Sequence, residues 1–134
     1  MNQEGKADHR QYGRAAWHFT ARFRPLNRSD VRWEIPTVED VSEGGCYFYS
    51  SFSCEAGKIL EIEIEFPGSQ KFVRFVGEVK RCDFDNSKKL VRYGIGVHFL
   101  EIEKGREEEF KKAITFFLEK QKEKEKKKGD KNSK

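Results

Sequence analysis

In the stretch LEIEIEF, residues 60–66, every second residue is large and apolar and every residue between is glutamate. An extended strand points successive side chains to opposite faces, so this pattern reads as a strand with one apolar face and one charged face. Pro67-Gly68 then turns the chain. Val73, Phe75, Gly77 and Val79 carry the same period on, followed by a polar hairpin loop over 83–89 and a last strand with Val91, Tyr93, Ile95, Val97 and Phe99 on one face. The Glu61, Glu63 and Glu65 row is expected on the solvent face.

Working outward toward the N-terminus, Trp17, Phe19, Ala21 and Phe23 alternate with His18, Thr20, Arg22 and Arg24 up to Pro25, which predicts a first strand. Val31, Trp33 and Ile35 predict the start of a second, with Pro36 demanding an edge or a bulge. Glu43-Gly44-Gly45 reads as a tight turn leading into a short third strand over 46–50. Six short antiparallel strands with turn-sized gaps predict a mainly β fold, a closed or nearly closed barrel. Trp17 and Trp33 are expected in its core, and Gly94 and Gly96 are expected as packing glycines.

After Glu103 the apolar period changes from 2 to 3.6. Phe110, Ala113, Ile114, Phe117, Leu118 and Gln121 line one face of a helix expected over about 105–121. Glu107, Glu108 and Glu109 stand at its start and lysines crowd its end, as the helix dipole favours. Residues 1–8 read as a flexible arm, 9–121 as one domain and 122–134 as a disordered lysine-rich tail. Residues 120–134 hold eight lysines against Glu123, Glu125 and Asp130, a balance of +5 in a chain whose total is +4. The other residues together carry −1, so the composition does not describe a uniformly basic, nucleic-acid-binding body.

The three cysteines, Cys46, Cys54 and Cys82, form no C-x-x-C pair, and the three histidines form no H-x-x-x-H pair. Neither a disulfide framework nor a metal site is expected. The first residues lack the apolar core of a secretory signal, and no apolar run nears the roughly 20 residues of a membrane span. The expected setting is a reducing, bacterial-type cytoplasm. No nucleophile–base pair is spaced for catalysis, so the chain is expected not to be an enzyme.

Two motifs remain. Arg10-Gln11-Tyr12-Gly13-Arg14 is an R-x-x-x-R just before the first strand, and Asp40-Val41-Ser42-Glu43-Gly44-Gly45 is a D-x-S-x-x-G at the turn between strands two and three. The pair resembles the signature of the PilZ domain, a cyclic di-GMP receptor family. VEDVSEGGCYFYS (38–50) is similar to the family's central segment, and YGIGVHF (93–99) to its closing strand. The resemblance implies a six-stranded antiparallel PilZ-type β-barrel with a C-terminal α-helix. It also implies a cyclic di-GMP site made by Arg10, Arg14, Asp40, Ser42 and Gly45, with His9 and Gly44 as further candidates beside them. No other cofactor and no metal are implied.

The chemistry suits the ligand. The planar fork of arginine matches guanine O6/N7 and phosphate. A carboxylate accepts from guanine N–H groups and a hydroxyl can donate or accept. The implied mechanism is an arm ordered over the ligand, changing the surface offered to a partner protein, in a monomer or homodimer. Two alternatives stay open at this level: a PilZ-like protein-interaction scaffold that binds no nucleotide, and, with less support, a nucleic-acid-binding small barrel.

Overall fold

A computed structural model of the chain describes residues 19–66, 71–87 and 90–132. Six strands and one helix follow in the order β1 (Thr20–Pro25), β2 (Thr37–Val41), β3 (Gly45–Ser50), β4 (Ile59–Glu65), β5 (Val73–Asp85), β6 (Arg92–Ile102) and α1 (Glu107–Asn132). The strands form one antiparallel sheet in the order β1-β4-β5-β6-β3-β2. The sheet curls until its two edges meet. Phe23 of β1 and Glu34, just before β2, exchange both backbone hydrogen bonds, at 3.0 and 2.9 Å. That bridge nearly closes the barrel and satisfies edge groups that would otherwise stay open.

The alternation in residues 60–66 does what its period dictates. Leu60, Ile62, Ile64 and Phe66 are all buried, and Phe75 and Val73 of the neighbouring strand pair with Ile62 and Ile64. The glutamate row differs from the solvent face expected for it. Arginines of the flanking strands cover it: Arg24 and Arg74 hold Glu61 at 3.1 and 2.9 Å, and Arg22 holds Glu63 at 2.6 Å. Trp33 is not a core residue. The backbone of 31–36 is irregular apart from the bridge at Glu34, and the Trp33 ring lies on the outside, under the guanidinium groups of Arg22 and Arg24, 4.3 and 4.1 Å from its centroid. The indole therefore screens two ion pairs instead of filling the barrel. Trp17 and the start of the expected first strand lie outside the described residues.

α1 closes the barrel over an aromatic cluster. Phe110, Ile114 and Phe117 are buried, and Phe110 packs against Phe66, Phe75 and Phe99 with centroids 5.5, 4.9 and 6.0 Å apart. Phe117 meets Phe19 at 5.5 Å. Arg106 fixes the helix start, bonding Glu109 at 2.7 Å and the Phe72 carbonyl at 3.3 Å. The helix runs to Asn132, past the expected end near Gln121. Glu, Lys and Gln are strong helix formers, so the backbone continues after the apolar face ends. No helix among the described residues is long and apolar enough to cross a membrane.

Candidate functional site

The side chain of Asp40 reaches the outer face of the sheet through a break in alternation. Val38 pairs with Phe48 and faces the core; strict period 2 would send Asp40 inward as well. A bulge between Val38 and Asp40 shifts the register by one, so Asp40 pairs with Tyr47 and Val41 pairs with Cys46. A one-residue shift exchanges the faces. Val41 is fully buried and Asp40 half-buried, its Oδ1 shielded from solvent.

Ser42 to Gly45 then reverses the chain. The Ser42 N–H donates to the Gly45 carbonyl at 2.8 Å, the Gly44 N–H donates to Ser42 Oγ at 3.2 Å, and the Ser42 hydroxyl donates to the Gly45 carbonyl at 3.3 Å. Ser42 is thus the internal brace of the turn, and it is buried. The Gly44 carbonyl accepts from the Phe99 N–H at 2.8 Å, tying the turn to β6. Gly45 sits against β6 so closely that a Cβ would overlap the Val97 carbonyl oxygen. Glycine is needed there for strand-to-strand approach, whatever else it does.

The sequence-predicted residues Asp40, Ser42, Gly44 and Gly45 are brought together on this turn. Arg10, Arg14 and His9 lie outside the described residues.

Beside the turn, the outer face holds residues that no motif pointed to. The row that begins at Asp40 runs through Tyr47 and Gly96 to Arg81. A second bulge, between Val79 and Arg81, puts Arg81 outside and lets Cys82 take the inward position opposite Ile95. Tyr47 lies across β6, where a Cβ at Gly94 would collide with its phenol, and Arg81 lies over Gly96, whose Cβ would stand 3.2 Å from Arg81 Cγ. Asp83 links the two, 3.4 Å from Arg81 Nε and 3.5 Å from the Tyr47 hydroxyl. The Arg81 guanidinium is 5.2 Å from the Tyr47 ring centroid. Burial, aided by nearby Tyr49 and Asp83, pushes the Tyr47 phenol up to about 12, so it stays a neutral hydrogen-bond donor at physiological pH.

Both bulges have the same spelling, apolar–polar–polar–apolar: Val38-Glu39-Asp40-Val41 and Val79-Lys80-Arg81-Cys82. A pair of apolar residues three apart in a period-2 strand is the signal that would have located this face.

The face is open. The nearby recess between Glu43, the end of β6 and the first turn of α1 has a volume of about 160 Å³, below the roughly 300–1,000 Å³ of pockets that enclose small molecules.

The comparisons agree with this architecture. The PilZ domain family model matches residues 8–116. Among solved structures, the chain is similar to the PilZ domain of Escherichia coli YcgR with c-di-GMP, at 17% identity and TM-score 0.65, covering 88% of this chain and 98% of that one. It is similar to MrkH of K. pneumonia in its apo state (15% identity, TM-score 0.69, 84% of this chain and 52% of that) and to the Bacillus subtilis inhibitor of motility MotI/DgrA (18%, 0.66, 86% and 52%). MrkH is also known as a c-di-GMP complex, matched at TM-score 0.57. The chain spans about half the length of MotI and MrkH. At these identities the likeness is one of fold. No curated protein matches the chain at a significant level. With the family model matching across most of its length, on a curled six-strand sheet capped by one helix, the chain belongs to the PilZ domain family.

Proposed function

We propose that this chain is a cyclic di-GMP receptor domain, in which Arg10 and Arg14 grip the ligand from above and the turn of Asp40, Ser42 and Gly45 forms its floor. The observation that carries the reading is the R-x-x-x-R that precedes β1 in the sequence together with an Asp40 that a bulge has turned onto the outer face. Similar structures of YcgR and MrkH hold c-di-GMP on the same fold, which supports the choice of ligand.

The roles follow from the groups. Asp40 accepts from the N1–H and exocyclic amine of one guanine. The arginines supply planar forks for a guanine Hoogsteen edge or a phosphate. On this reading the segment carrying Arg10 and Arg14 covers the ligand, and ordering it changes the surface presented to a partner protein. His9 and Gly44 adjoin these positions and complete the proposed set. The chemistry is binding, not turnover: guanidinium, carboxylate, hydroxyl and backbone hold a nucleotide without attacking it. The domain acts in the cytoplasm on this reading, as the location of a cytosolic second messenger requires.

Calorimetric titration of the full chain with cyclic di-GMP tests this. Saturable heat with a micromolar or tighter midpoint is expected; absence of heat and of any spectral shift up to sub-millimolar ligand would end the reading.

A further inference from the structure

Arg81 joins the site by position and not by motif. It stands on the cross-strand row that starts at Asp40, three strand steps away, or about 14 Å at the usual strand spacing. Two features of that row set where its side chains lie. The first is the bulge at Val79/Arg81. Without it, Arg81 would follow Val79 into the core; with it, Arg81 emerges on the outer face that the bulge in β2 gives to Asp40. The second is the pair Gly94 and Gly96. A side chain at either would lift Tyr47 or Arg81 off the sheet. With glycine at both, phenol and guanidinium lie low over β6, with Asp83 holding them from one side.

The result is a shallow plate. The side chain of Arg81 is 55% exposed, and its guanidinium carbon stands 5.2 Å from the Tyr47 ring centroid. A guanidinium is planar and weakly hydrated, and it stacks on flat π-systems. A purine held by its edge at a carboxylate needs such a surface under its ring, because base stacking and edge hydrogen bonds lie at right angles and do not compete.

We propose that Tyr47 and Arg81 form the base-stacking platform of the site: a guanine of the bound dinucleotide lies flat on the Arg81 guanidinium, with Tyr47 supporting it from beneath. The inference rests on the nucleotide reading above and adds to it a specificity-bearing surface on β3, β5 and β6. A stacked contact asks for a plane, and a phosphate contact asks only for a charge. Lysine therefore separates the two.

The test is titration of cyclic di-GMP into the full chain and into Arg81→Ala, Arg81→Lys and Tyr47→Leu, with circular dichroism to verify folding. Arg81→Ala is expected to bind about tenfold more weakly, the low end of the loss seen on removing a stacking group. Arg81→Lys is expected to be as weak as Arg81→Ala, and Tyr47→Leu to fall between Arg81→Ala and the parent. Arg81 is largely exposed, so its replacement leaves the core intact. If the parent chain binds and Arg81→Ala binds within twofold of it, the platform is wrong and the nucleotide reading stands. If Arg81→Lys recovers full affinity, the contact is a charge and the stacking assignment is wrong. If the parent itself binds nothing, the nucleotide reading falls and the platform with it.

Discussion

Asp40 and Arg81 end the same cross-strand row, and each reaches the outer face through a bulge that breaks the period of its own strand. The two bulges lie on strands that never touch, β2 and β5, with β3 and β6 between them. Each reverses the inward position that alternation would assign. A carboxylate and a guanidinium are thereby kept out of the core, where each would be heavily penalised, and delivered to one surface.

The turn that carries Asp40 is a structural unit before it is a binding unit. Ser42→Ala removes one accepted and one donated hydrogen bond and is expected to lower the stability of the ligand-free chain by about 1–2 kcal/mol. Gly45→Ala forces β3 away from the Val97 carbonyl and is expected to lower it by about 1–3 kcal/mol, comparable to overpacking a core. Urea unfolding without ligand measures both. Unchanged midpoints would mean that these two residues serve the ligand alone.

Phe110 is the keystone between helix and sheet, with three aromatic neighbours from the ends of β4, β5 and β6. Phe110→Ala is expected to lower stability by about 3–5 kcal/mol. Phe116→Ala, on the exposed face of the same helix, is expected to change it by less than about 0.5 kcal/mol. Paired urea curves test the contrast; equal effects would show that α1 is not packed on the barrel through Phe110.

The fold was legible because its signal is periodic. Residues 60–66 and 73–79 announced two strands, the change of period after Glu103 announced α1, and the structure places Phe110, Ile114 and Phe117 inward as that period requires. Three features were not legible because they depend on tertiary partners. Trp33 reads as core, yet its neighbours Arg22 and Arg24 come from β1, which meets it only once the barrel curls. The hairpin loop expected over 83–89 is shorter because β5 stays paired with β6 to Asp85. The Tyr47–Arg81 plate belongs to no local motif; it exists only when β3, β6 and β5 lie side by side. The D-x-S-x-x-G was visible at once, and a turn braced by its serine was one reading of it; the close approach of Gly45 to the Val97 carbonyl was not visible, because it depends on β6 lying alongside.

Arg10 and Arg14 are expected to act with Asp40 on one ligand. Arg10→Ala, Arg14→Ala and Asp40→Ala should each weaken cyclic di-GMP by about 1–3 kcal/mol, the range of a bidentate contact to a base edge. Lysine at position 10 or 14 should recover little of the loss where the arginine meets a guanine edge and most of it where it meets a phosphate. Calorimetry on the three alanine variants decides the matter; full affinity in Arg10→Ala or Arg14→Ala would remove that arginine from the site.

Glu61 sets the response of the domain to acid. Burial alone would raise its carboxyl, but hydrogen bonds from Arg74 and Arg24, with their charges, more than offset this and hold it below the usual carboxylate range. A group depressed in the folded state contributes stability that is fully present above its unfolded value, near 4.5, and is lost as pH falls through its folded value. Melting temperature should therefore be flat for this group from neutral pH down to about 5 and decline below about 4.5. Glu61→Gln keeps the shape and removes the charge. It is expected to destabilise the chain at pH 7 by about 1–3 kcal/mol, since two guanidinium groups lose a charged acceptor, and to show a shallower decline in acid than the parent. Thermal melts of both proteins at pH 7, 5, 4 and 3 measure the difference. Parallel acid profiles would mean that the Arg24–Glu61–Arg74 bridge contributes nothing to folding and that other carboxylates carry the acid response.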